Sequence, residues 1–144
     1  MKTNEKIDLL RRAGSDLWNV NLIMSHEISD PVHYDTAAYH VQQATEKVMK
    51  YVLQQNGIEF LWTHDISELV EQMIENKIDV PNWISEVAGL LTGYESKTRY
   101  LNTLVASKAK LEELIPLITE YLRQQQTATY EPVVKNCIKR EDVE

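Results

Sequence analysis

The chain has 144 residues, 43% of them hydrophobic and 26% charged, and its net charge is −7. That length fits one domain with its own hydrophobic core, and the acidic balance argues against a broad electrostatic grip on DNA or RNA, which needs clustered Lys and Arg to neutralise phosphates. One cysteine, Cys137, excludes an intramolecular disulfide and a Cys-based zinc site, while four Gly and four Pro favour long helices over a turn-rich all-β fold.

The first predicted helix covers Asn4 to His26, where Ile7, Leu10, Leu17, Val20 and Met24 recur at helical spacing. Ser29-Asp30-Pro31 ends it. The second runs from about Tyr34 to Gln55, with Ala37, Val41, Ala44, Val48, Tyr51 and Val52 on one face and Tyr39, Gln42, Gln43, Glu46, Lys47 and Lys50 on the other. Asn56-Gly57 stops it. Thr63 or Asp65 caps a third helix with the stripe Ile66, Leu69, Val70, Met73 and Ile74. Pro81 suits the first turn of a fourth, with Trp83, Val87, Leu90, Leu91 and Tyr94 inward. Glu95 to Thr103 loses the period and reads as a helix end and connection. The fifth helix begins near Thr103 to Ser107 and reaches Gln126, with Leu111, Leu114, Ile115, Ile118 and Leu122 inward and a kink expected near Pro116. These segments predict an all-α, up-and-down bundle of about five helices over residues 4–126, followed by a loosely ordered tail over 127–144. No stretch is long and apolar enough to span a membrane, and Met1 to Leu10 does not read as a signal peptide, so a cytoplasmic location is expected.

Three segments carry candidate chemistry. The polar side of the second helix, with Gln43, Glu46, Lys47 and Lys50, suits a ligand or a second subunit, or else is a solvated face with a Glu46–Lys50 pair. Thr63-His64-Asp65 is a proton carrier beside an acid, or a capping cluster. Arg99, between Tyr94 and Tyr100, offers a planar fork for phosphate, or pairs structurally with Asp16 or Glu46. The four histidines, His26, His33, His40 and His64, form no H-x3-H or H-E-x-x-H pattern, so no metal is expected, and no cofactor is implied.

The run Tyr39-His40-Val41-Gln42-Gln43-Ala44-Thr45-Glu46-Lys47 resembles the aromatic-His-x-Gln-Gln-Ala-x-Glu-Lys signature of the HEPN family. Thr63-His64-Asp65-Ile66 with Leu69 is similar to that family's Thr-His-Asp-led third helix, and Thr98-Arg99-Tyr100 to its Thr-Arg-Tyr element. Ala13 to Leu17 fits its first helix, so the likeness runs from Ile7 to Leu122. The resemblance implies a five-helix bundle, often a homodimer, commonly encoded beside a minimal nucleotidyltransferase with which it forms a complex. Other members are RNA-cleaving toxins or defence nucleases using R-x4-6-H, in which Arg steadies phosphate charge and His moves a proton. Here Leu104, Val105 and Ala106 stand where that His would follow Arg99, and Arg11, Arg12 and Arg123 also lack a His at this spacing. The sequence therefore points to a noncatalytic module, a homodimer that binds a nucleotide or a minimal nucleotidyltransferase, with Gln43, Lys47, His64, Arg99 and Tyr100 converging on one groove. The alternative is a toxin-type or defence ribonuclease with a non-standard site. The resemblance leaves open whether the protein belongs to a toxin–antitoxin pair.

Overall fold

A computed structural model describes the backbone over residues 3–100 and 104–143, and the side chains over 8–97 and 104–128. Five helices follow in order, α1 (Thr3–Met24), α2 (Val32–Gln55), α3 (Ile66–Glu75), α4 (Asn82–Tyr100) and α5 (Lys108–Val143), with no strand among the described residues. The expected all-α helical bundle is the fold that forms.

The helix ends follow local chemistry. Val32 N donates to Asp30 Oδ1 at 3.0 Å, and Pro31 sits at φ −58°, so Asp30-Pro31 starts α2, α1 having ended at Met24. Gly57 takes φ +74° past the end of α2, where Ile58 N reaches Leu53 O at 2.9 Å and Gly57 N reaches Gln54 O at 3.0 Å. This is the paired closure in which a left-handed residue satisfies the last carbonyls of a helix. Lys77, at φ 59°, closes α3 in the same way, with Ile78 N on Met73 O at 2.9 Å. Asp65 caps α3 by accepting from Ser67 N at 2.8 Å.

α2 touches each of the other four helices and is the central element. Leu10, Ala13, Leu17 and Val20 of α1 pack with Ala37, Val41, Ala44, Val48, Tyr51 and Val52 of α2, and Leu111, Leu114, Ile118 and Leu122 of α5 join the same core. Three expectations change. α4 continues to Tyr100, through the stretch read as a connection, because Glu95 and Lys97 are good helix formers and losing the apolar period does not end a helix. Its buried stripe is Ile84, Ala88, Leu91 and Tyr94, while Trp83 is half-buried and Leu90 exposed. Ile74, expected inward on α3, faces solvent. α5 extends beyond Gln126, to Val143.

The polar side of α2 is the main correction. Gln42 is 0% exposed, Glu46 4% and Lys50 8%, so this is no solvated face. A helix packed on four neighbours is covered all round, and its polar groups must then find partners inside the protein.

Candidate functional site: the polar side of the central helix

Two carboxylates organise this region. The first is Asp16 of α1, buried beside Ala13 and Leu17. Its Oδ1 lies 2.9 Å from His40 Nδ1, and its Oδ2 accepts from Lys47 Nζ at 2.5 Å. His40 and Lys47 stand two turns apart on α2, so one acid of α1 spans both.

The second carboxylate is Glu46. Its Oε2 accepts from Lys50 Nζ at 3.1 Å, one turn along α2. Its Oε1 accepts from Gln42 Nε2 at 3.1 Å and lies 2.9 Å from His64 Nδ1. Gln42 Nε2 also reaches the His64 carbonyl at 3.2 Å, and Gln43 Nε2 donates to Gln42 Oε1 at 2.7 Å. An ionised carboxylate only accepts, so His40 and His64 each carry a hydrogen on Nδ1 and turn Nε2 away from their acid. Two carboxylates thus balance two lysines, Lys47 and Lys50, with both imidazoles held alongside.

The segment before α3 continues the site. Lys50 Nζ stands 5.0 Å from the centroid of the Phe60 ring, and Phe60 meets Trp62 with ring centroids 5.6 Å apart. His64 keeps 60% of its side chain exposed while Glu46 beneath it keeps 6%.

Of the residues singled out from sequence, Gln43 and His64 reach the Glu46 network, and Lys47 is one turn from Gln43 but bonded to Asp16. The side chains of Arg99 and Tyr100 lie outside the described residues. Gln42, Glu46, Lys50 and Asp16 hold the site together, although Gln42 and Asp16 were not singled out as ligand-binding candidates. The signal for Asp16 is an acid interrupting an apolar stripe, and for Gln42, Glu46 and Lys50 it is polar residues repeated at four-residue spacing. His26 and His33 line a separate depression of about 400 Å³ with Leu22 and Ile28 at the α1–α2 turn. Among the described residues no group of three or more His, Cys, Asp or Glu is arranged to hold a metal ion, and no helix is long and apolar enough to cross a membrane.

The family model for the HEPN domain matches residues 7–125. The chain belongs to the HEPN domain family. Among solved structures, this HEPN domain is similar to the crystal structure of TT1696 from Thermus thermophilus, with a TM-score of 0.65 and 24% identity, covering 84% of this chain and 95% of that one. At that identity the likeness speaks for the fold. No curated protein matches the chain.

Proposed function

We propose that this HEPN domain is a noncatalytic binding module, a homodimer that binds a nucleotide or partners a minimal nucleotidyltransferase. The observation carrying this reading is the pairing of buried Asp16 and Glu46 with Lys47, Lys50, His40 and His64. Each cation or imidazole is fixed by a carboxylate, so Lys47, His40 and His64 are preorganised at the edge of the bundle. The missing R-x4-6-H spacing agrees with it. Calorimetric titration with AMP tests the nucleotide arm, and light scattering at tens of micromolar tests the dimer, a range suited to weak association. Lys47→Ala should weaken AMP by about one to two decades, as expected for a charge-assisted contact. A native protein that is monomeric and binds neither AMP nor a purified minimal nucleotidyltransferase would overturn the reading.

A second reading, a ribonuclease with a non-standard site, draws on one observation. His40 and His64 are each held at Nδ1 by a carboxylate, the arrangement that orients an imidazole for proton transfer at Nε2. RNA cleavage by the native protein, abolished in His64→Ala, would favour it over the first.

A further inference from the structure

The segment between α2 and α3 is fastened at nearly every residue. Gln72 of α3 donates from Nε2 to Glu59 O at 2.9 Å and accepts from Leu61 N at 3.1 Å. Thr63 N reaches Leu61 O at 3.0 Å, a tight three-residue turn centred on Trp62. Thr63 Oγ1 accepts from Asp65 N at 3.0 Å, and the His64 carbonyl accepts from Gln42 at 3.2 Å. Although its backbone is tied down on both sides, Trp62 is 89% exposed. One large apolar ring is therefore held out in water on a rigid support, with Phe60 against it and His64 two residues on.

We infer that Trp62 and His64 form the two ends of a nucleotide site, with a nucleobase stacked on the Trp62 indole and its phosphate at His64 Nε2. The inference rests on the nucleotide arm of the proposed function and adds where the base goes. Three observations favour a nucleotide as occupant. An indole offers at most about 250 Å² of contact, far short of the roughly 800 Å² per partner of a stable protein interface, but enough for one base. The Trp62 and His64 Cα atoms stand at most about 7 Å apart, a separation within the length of a single nucleotide. Glu46 holds Nδ1 of a side chain that is 60% exposed, so the ring turns Nε2 away from the acid, where it meets a phosphate oxygen. Stacking suits every base, so the site is selective for a base bearing phosphate rather than for one sequence.

The test is calorimetry on the full chain with AMP, ribose 5-phosphate and a short oligoadenylate, using the native protein, Trp62→Ala and Trp62→Phe. An exposed ring can be removed without disturbing the core, and circular dichroism verifies the fold. Trp62→Ala should bind AMP about tenfold more weakly, Trp62→Phe should recover most of that loss, and ribose 5-phosphate should bind native and Trp62→Ala alike. The same Trp62 dependence for oligoadenylate with no binding of AMP supports the site with a single strand as the source. Equal AMP affinity in native and Trp62→Ala protein overturns this inference and leaves the proposed function standing. Failure of native protein to bind AMP and oligoadenylate overturns the inference and the nucleotide arm together, but not the nucleotidyltransferase arm.

Discussion

Glu46 and His64 stand 18 residues apart in sequence and 2.9 Å apart in space, the carboxylate buried and the imidazole half out in solvent. The same carboxylate neutralises Lys50, whose side chain is almost as deeply covered as its own. Glu46 is therefore the residue on which both the packing of α2 and the orientation of His64 depend.

Glu46→Gln should destabilise the protein by about 3 kcal/mol, because it leaves a buried ammonium without its counter-charge. Replacing both partners, Glu46→Leu with Lys50→Met, should recover most of that loss, since it removes the charge that needed solvation. Urea unfolding of the three proteins measures this. A Glu46→Gln variant as stable as the native chain would show that Lys50 reaches water and that the pair is a surface contact.

Asp35, in the first turn of α2, ties down the segment that leads into α5. Its Oδ1 accepts from Ala106 N at 2.8 Å and Val105 N at 3.0 Å, just ahead of α5. Asp35→Ala should cost about 2 kcal/mol, the range for hydrogen bonds to a charged group, and should speed hydrogen exchange at those two amides above all others. Asp35→Asn keeps an acceptor and should fall between. Uniform exchange across the chain in Asp35→Ala would mean that the carboxylate does not hold the connection.

The bundle was legible in the sequence because apolar spacing reports burial on helices that have one wet face, as with Leu10, Leu17 and Val20 of α1. It failed where that premise fails. Gln42, Glu46 and Lys50 of α2 read as solvated from their polarity although they are buried and satisfied inside. The site was legible in part for a related reason. Gln43 and Lys47 fall in one recognisable run and His64 in another, but pairing Asp16 with Lys47 spans 31 residues, and Trp62 becomes conspicuous only once its exposure is known.

Tyr121 carries a hydroxyl that is buried and has no hydrogen-bond partner among the described residues. A buried hydroxyl without a partner costs about 1–3 kcal/mol in lost solvation, so Tyr121→Phe should be at least as stable as the native protein at neutral pH. Burial pushes this hydroxyl far above the ordinary tyrosine range. Tyr94 is also raised, first by burial and then by the charges of Asp35 and Glu113. Both keep their protons in the fold while an unfolded tyrosine ionises near pH 10, so above that pH the unfolded chain binds fewer protons and stability falls as pH rises. The contribution is full below about pH 10 and is lost from there toward the raised folded-state values. Tyr121→Phe should show the shallower alkaline decline. A variant that loses more than about 1 kcal/mol at pH 7 would mean that the hydroxyl has a partner, such as a bound water.

Arg99 remains the residue whose role most affects the proposed site, and its side chain lies outside the described residues. The structural account pairs it with Asp16 or Glu46. Asp16 already meets His40 and Lys47, one at each oxygen, and Glu46 already meets His64, Gln42 and Lys50. With both acids engaged, removing Arg99 leaves Asp16 and Glu46 each with the cation it already holds. Arg99→Ala should then keep its melting temperature within a few degrees of native, a shift of less than about 1 kcal/mol. It should weaken AMP by one to two decades if Arg99 supplies a charge-assisted contact to phosphate. Lys47→Ala makes the contrast, since it must lose stability as well as affinity by leaving Asp16 with His40 alone among its described partners. An Arg99→Ala protein that is several kcal/mol less stable would return Arg99 to the structural account, because that is the cost of breaking a buried ion pair, and would remove it from the binding surface.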